Sequence, residues 1–250
     1  MARINLLIVA TSKYTQFLPQ LLESADKYFL KGHQVTYNVF TDKPNEVSEM
    51  FPDKFQDVHS GETPNLKIHK IEHKPWPHAT LKRFHFFRAN MGRMGWADYF
   101  VYIDADARFC APIDDEILGE RVATQHCGYV DGLGLPFENN PKSTAFVPAQ
   151  ERRQYFGGGV WAFANEEFWE MVFQLTQAID KDEENGIVAQ WADESHINRY
   201  FVDNPPTVVL SPSYHWPENT PNVHQKWKEM NLSFECKILL LKKDHKQFQI

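Results

Sequence analysis

Two aspartates one residue apart, Asp104 and Asp106, close the apolar run Tyr99-Phe100-Val101-Tyr102-Ile103. Side chains two apart on a strand share a face, so both carboxylates can converge on one cation. Hard divalent ions take oxygens from one or two carboxylates plus substrate phosphates, so the pair is a candidate cation and diphosphate site. An acidic turn after a strand gives the same spacing, and D-x-D arises about once by chance in an ordinary chain of this size. Spacing alone leaves both readings open.

Trp191-Ala192-Asp193-Glu194-Ser195-His196 sets two adjacent carboxylates beside a large aromatic at a predicted helix start. Asp193 there can cap the helix. Glu194, if buried, can act as a nucleophile or stabilise an oxocarbenium-like charge. Tyr155-Phe156-Gly157-Gly158-Gly159-Val160-Trp161 carries three glycines between aromatics, suited either to close backbone approach to a ligand or to a mobile turn. G-x-G-x-x-G, P-loop, H-E-x-x-H and G-x-S-x-G patterns are absent, and the 11 histidines are scattered, as structural or surface histidines are. The run Lys242-Lys243-Asp244-His245-Lys246 can fold over an anionic diphosphate or remain a solvated end.

Elements must hold these groups in place. Residues 4–10 form a continuous apolar run, as expected of a strand covered on both faces, and Phe17, Leu18, Leu21, Leu22, Ala25, Tyr28 and Phe29 follow at helical spacing. Gly32 stops that helix, and a second strand over 34–41 ends at Asp42-Lys43-Pro44. A short strand over 66–71, a helix over 80–94 carrying Leu81, Phe84, Phe87 and Ala89, and a strand over 99–103 come next. Such alternation predicts an α/β fold with a mostly parallel sheet, whose ligands gather at the carboxyl ends of the strands. Residues 128–150 read as a long loop, 165–180 and 193–202 as helices, and 207–210 and 237–241 as strands. No linker or composition shift divides the chain, so one domain is expected over 1–250.

Hydrophobic residues make up 42% and charged residues 24% of the 250, which excludes a disordered, collagen-like or repeat protein. The net charge of −7 argues against a general nucleic-acid binder, which must neutralise phosphates. Cys110, Cys127 and Cys236 are odd in number and distant in sequence, giving no disulfide framework or zinc spacing and pointing to a reducing compartment. The N-terminal apolar run is too short for a signal peptide, and no stretch approaches the roughly 18 apolar residues of a membrane span. A soluble, cytoplasmic protein without an anchor is expected.

In order along the chain, these segments resemble glycosyltransferase family 6, which includes the histo-blood-group A and B transferases, α-1,3-galactosyltransferase and short bacterial and phage-type members. The most specific parts are Lys31-Gly32-His33-Gln34-Val35, Tyr37-Asn38-Val39-Phe40-Thr41-Asp42, the Asp104-Ala105-Asp106 triplet, and W-A-D-E-S-H-I-N-R-Y-F over 191–201 leading to Leu210-Ser211-Pro212. The resemblance implies a GT-A (Rossmann-like) fold with helices on both sheet faces. It implies a retaining, metal-dependent transfer of an α-linked sugar from a UDP-sugar to a glycan hydroxyl, usually O3 of a galactoside.

Carried over, Val9, Ala10, Thr11 and Tyr14 hold the uridine, and Trp76 and Arg83 belong to the donor site. Asp104 and Asp106 bind Mn²⁺, Gly157, Gly158 and Gly159 select the donor sugar, and Glu194 is the catalytic carboxylate with Asp193 beside it. His126, Trp191 and Glu194 face the acceptor, and Lys243 and His245 belong to a segment folding over UDP. Residues 1–110 then supply the nucleotide-binding part and 111–250 the acceptor-binding and catalytic part. The glycines leave room for an acetamido group, so UDP-GalNAc is expected ahead of UDP-Gal. The family's acceptor stretch F-T-Y-E-R-R is here Phe137-Glu138-Asn139-Asn140, its H-P-G is His126-Cys127-Gly128, and Gln249 replaces a tail arginine. Two competing functions are a UDP-sugar hydrolase and a non-catalytic carbohydrate-binding protein using Trp76, Trp161, Trp191 and Trp216 as stacking platforms.

Overall fold

The structure is a computed structural model that describes residues 1–54 and 65–243. In chain order the elements are β1 (Arg3–Val9), α1 (Leu18–Tyr28), β2 (Gln34–Thr41), α2 (Pro44–Met50), β3 (Leu66–Lys70), α3 (His78–Leu81), α4 (Arg83–Ala89), α5 (Met91–Met94), β4 (Tyr99–Ile103) and β5 (Ala107–Phe109). There follow β6 (Arg121–Gln125), β7 (Phe156–Ala164), α6 (Asn165–Glu184), α7 (Ala192–Asp203), β8 (Val208–Leu210), β9 (Trp216–Pro217), α8 (Pro221–Glu229) and β10 (Ile238–Leu240).

Seven strands form one sheet in the order β3-β2-β1-β4-β7-β6-β8. The four strands β3, β2, β1 and β4 run parallel, β7 is antiparallel to both β4 and β6, and β8 is parallel to β6. This is the α/β class that the alternating pattern predicts. Side chains alternate across the strands. Ile4, Leu6, Ile8, Val101 and Ile103 pack with Leu18, Leu21, Leu22 and Ala25 of α1 on one face. Leu7, Phe100, Tyr102, Trp161 and Phe163 pack with Phe84 and Phe87 of α4 and Phe168, Met171 and Val172 of α6 on the other. Phe100 and Phe168 stack with ring centroids 4.1 Å apart. The apolar run over 6–9 of β1 follows from this two-sided cover, and the buried Asn5 is satisfied by accepting from Asn38 Nδ2 at 3.1 Å.

Three expectations change. The single helix over 80–94 is three short pieces broken at Lys82 and Asn90. Asn90 donates from its side chain to the Phe86 carbonyl, a local bond that competes with the helical ladder. The triple glycine is no mobile turn: all three residues lie buried inside β7. Cys110 and Cys236 are distant only in sequence, because β10 pairs antiparallel with β5, Phe109 opposite Ile238. That pairing brings Cys236 beside Cys110, and burial together with the Cys110 thiol pushes the Cys236 thiol up to about 12. β10 also pairs with β9 to complete a three-stranded sheet. Among the described residues no helix is long and apolar enough to cross a membrane.

Candidate functional site

The carboxyl ends of β1 and β4 open into a cleft lined by Val9, Thr11, Tyr14, Trp76, Arg83, Asp104, Asp106 and Lys243. Eight of the residues expected to hold the donor therefore meet here. Ala10 does not line the cleft; it is fully buried behind it. Thr11 Oγ1 lies 3.1 Å from His73 Nδ1, and the Ser12 amide donates to Asp42 Oδ1 at 2.8 Å, which fixes the turn leaving β1. His73, Thr80 and Tyr102 line the same cleft and carry no signal in the sequence spacing.

Asp104 and Asp106 stand at the end of β4, with the Asp104 amide donating to the Gly159 carbonyl of β7 at 2.9 Å. The Tyr102 hydroxyl donates to Asp104 Oδ1 at 2.7 Å, and Arg83 Nη1 lies 3.7 Å from the same oxygen. Burial opposes ionisation of Asp104, but Arg83, Lys243 and the Tyr102 hydroxyl outweigh it and hold the carboxyl below its usual range. Asp106 goes the other way, raised by burial and by the Asp104 charge. Lys243 Nζ donates to Asp106 Oδ2 at 2.5 Å while sitting over the Tyr14 ring. The cleft thus accommodates a positive charge against Asp106. Among the described residues no group of three or more His, Cys, Asp or Glu side chains surrounds the pair. Two hard carboxylates fit a divalent ion that draws its other oxygens from phosphates.

A second cleft adjoins the first, lined by Trp76, Arg83, Asp104, Gly158, Gly159, Trp191, Asp193, Glu194 and His215. Its floor is the start of α7. Ala192 takes φ 47°, the left-handed region, at a cost of about 1–2 kcal/mol for a residue with a Cβ. Asn198 of α7 clamps the Phe156 backbone of β7, accepting from its N–H at 2.9 Å and donating to its C=O at 2.8 Å. With α7 docked in this way, Glu194 Oε2 accepts the Gly158 N–H at 2.8 Å. Burial pushes the Glu194 carboxyl up to about 7, helped by the charges of Asp193 and Asp104 and opposed by the Gly158 N–H.

Asp193 does not cap the helix. The position before α7 is Trp191, no side chain bonds the helix end from there, and Asp193 instead pairs with Arg83 Nε at 3.0 Å. Arg83 also donates from Nη1 to the Gly158 carbonyl at 3.0 Å and stacks 4.3 Å from the Tyr102 ring centroid. One guanidinium thereby links Asp104, Asp193 and the glycine strand.

Of the four tryptophans considered as sugar platforms, Trp161 is 1% exposed and belongs to the core, while Trp216 packs on Trp227 and His224. Trp76 and Trp191, 58% and 46% exposed, flank the second cleft. His126 does not line either cleft; it lies behind His215, ring centroids 5.3 Å apart, and its Nδ1 accepts the Gly128 N–H. Burial, with His215 nearby, pushes His126 down to about 3. His245 lies outside the described residues.

The chain is 34% identical over 223 residues to the dog Globoside alpha-1,3-N-acetylgalactosaminyltransferase 1, covering 87% of this chain and 62% of that protein. It is 33% identical over 222 residues to the rat Histo-blood group ABO system transferase 1, covering 86% and 61%. It is 29% identical over 224 residues to the human Alpha-1,3-galactosyltransferase 2, covering 85% and 62%. The chain spans under two thirds of the length of these relatives. The family description Glycosyltransferase family 6 matches residues 2–243, taking in both clefts and the strands that build them, and the chain belongs to that family.

Proposed function

We propose that this chain is a retaining glycosyltransferase that moves an α-linked hexose, galactose or N-acetylgalactosamine, from a UDP-sugar to a hydroxyl of a glycan, O3 of a galactoside being favoured. The observation that carries the reading is the Glu194 carboxylate, fixed by the Gly158 N–H at a cleft that adjoins the Asp104–Asp106 pair. The names of the relatives, which specify α-1,3 transfer of galactose or N-acetylgalactosamine, support the sugar and linkage.

Val9, Thr11 and Tyr14 receive the uridine, and Lys243 faces the diphosphate with its ammonium. Asp104 and Asp106 would hold Mn²⁺, which when bound offsets the charge that builds on the departing diphosphate. In the second cleft the ionised Glu194 favours positive charge at the anomeric carbon, and it does so more in the transition state than in the neutral ground state. Arg83 and Asp193 keep Gly158 and the start of α7 in register, so the carboxylate does not have to reorganise as charge develops. Trp191 offers an exposed aromatic face to the acceptor sugar, with His126 further back. Residues up to about 110 supply the donor cleft and the remainder the hexose and acceptor side, with Lys243 returning to the donor.

The test is product analysis with UDP-Gal, UDP-GalNAc, UDP-Glc and UDP-GlcNAc, each with and without a galactoside and with and without Mn²⁺. An α-linked disaccharide that forms only with acceptor and metal together supports the reading. UDP release at the same rate without acceptor identifies a hydrolase, and glycan binding without any turnover identifies a carbohydrate-binding protein.

A further inference from the structure

His215 follows Pro212–Tyr214, a short helical turn after β8, and directly precedes β9. It is 8% exposed, yet it lines the cleft that holds Glu194, Asp104 and Arg83. Its Nδ1 is buried without a hydrogen-bond partner among the described residues. Such an atom carries a desolvation cost, so the ring is held there by something other than its own satisfaction.

The glycine strand explains the position of the ring. A Cβ built on Gly157 would stand 2.7 Å from His215 Nε2, 2.8 Å from Cδ2 and 3.1 Å from Cε1. A Cβ on Gly159 would stand 2.7 Å from Asp104 Oδ2 and 3.5 Å from His215 Nε2. Glycines two apart on a strand face the same way. The room that the sequence reading gives to an acetamido group is therefore filled by an imidazole ring and a carboxylate. The glycines do not make an empty pocket; they admit His215 to it.

We infer that His215 selects the donor hexose: its ring is the wall of the hexose pocket over Gly157, and its Nε2 hydrogen-bonds a polar group of that sugar. The inference rests on the donor reading above. An imidazole supplies one donor and one acceptor in its neutral form, so it can serve a hydroxyl or an acylamino group. Discrimination by such a wall combines shape with an unpaired polar atom for the wrong sugar, and each such element is worth tenfold or more.

The experiment compares kcat/KM for UDP-GalNAc and UDP-Gal in the wild type, His215→Ala, His215→Gln, Gly157→Ala and the Gly157→Ala/His215→Ala double variant. Calorimetric affinity for UDP and for each UDP-sugar, and the melting temperature, are measured alongside. His215→Ala is expected to shift the donor ratio at least tenfold toward the bulkier UDP-GalNAc, with UDP affinity within twofold of wild type. His215→Gln, which returns a polar atom near Nε2, is expected to recover part of the ratio and keeps the test open if the alanine variant does not fold. Gly157→Ala is expected to lose at least tenfold with both donors, and removal of the imidazole in the double variant to relieve that loss. A donor ratio within twofold of wild type in both His215 variants overturns the inference, as does a loss confined to UDP affinity. If the wild type binds UDP-sugars and turns them over while the ratio stays fixed, only this inference falls. If it binds no UDP-sugar, the donor reading falls and takes the inference with it.

Discussion

Arg83 Nε meets Asp193 Oδ2 at 3.0 Å with the two side chains only 4% and 7% exposed, so the charge pair that orients the start of α7 is shut away from water. Breaking one side of a buried pair strands the other charge, which costs about 3–5 kcal/mol. Asp193→Asn is expected to lower the melting temperature by about 10 °C, at roughly 2–4 °C per kcal/mol for a chain of this size. Asp193→Ser separates the two accounts of this residue in thermal melts. Serine serves well at a helix start, so a neutral result would restore the capping role; the ion pair predicts a loss as large as that of asparagine.

Glu194→Gln keeps the shape of the side chain and removes its charge. The expected loss in kcat is about 10²–10³, as for other single electrostatic stabilisers. UDP affinity by calorimetry should stay within a few-fold, because Glu194 lines the second cleft and not the first. A melting temperature far below wild type with little change in kcat would count against the catalytic role.

The same carboxyl, raised to about 7, sets a pH dependence of known sign. The proposed role of Glu194 needs its ionised form, so kcat/KM should fall about tenfold per unit below pH 7, and Glu194→Gln should lose that acid limb. Its folded value lies above the ordinary 4.5, so the fold favours the protonated acid. Stability from this group is fully present below pH 4.5 and is lost as pH rises through 7. Denaturant midpoints between pH 5 and 8 should flatten in the glutamine variant.

Asp106→Asn removes the oxygen charge that Lys243 contacts. UDP-sugar binding in the presence of Mn²⁺ should weaken by about ten- to a hundredfold, equivalent to a charged contact of about 1.5–3 kcal/mol. Exhaustive chelation should abolish turnover of the wild type. Full activity after chelation would remove the metal from the proposal and leave Lys243 as the cation of the donor cleft.

Gly159→Ala places a methyl 2.7 Å from Asp104 Oδ2, close enough to force the carboxylate aside. Turnover should drop for every donor alike, and Mn²⁺-dependent UDP binding should drop with it. A switch of donor preference with UDP binding intact would mean that the strand yields instead of Asp104.

Much of the frame was legible. β1, β2, β4 and α1 follow from apolar runs and helical spacing, because burial on a two-sided sheet leaves a periodic record. Asp104 and Asp106 follow β4 in a turn, so their spacing marks them as candidates without choosing between an acidic turn and a cation site. β7 is hidden because three glycines leave no side-chain alternation to read, although its pairing with β4 and β6 comes from backbone bonds that need no side chains. His215 is hidden for a different reason. It reaches the site by tertiary packing from a segment far beyond the glycines in sequence, and neither its type nor its neighbours mark it. Asn198, which docks α7 on β7, falls within the 191–201 motif, but its clamp on the Phe156 backbone is visible only in the tertiary packing.

Phe109 lies opposite Ile238, so the strand that leaves Asp106 is held by a partner 129 residues further on (238 − 109 = 129). Closing so long a loop surrenders chain entropy before the contact exists, and such pairings form late. On the ribosome, at about 5–20 residues per second, roughly ten seconds separate synthesis of the two strands. For that interval the parallel half of the sheet, complete by Ile103, has its carboxylates but not the ammonium of Lys243 over them. The charge on Asp106 therefore finds its cation only when β10 docks between β5 and β9, so the electrostatics of this cleft are completed by the last described strand.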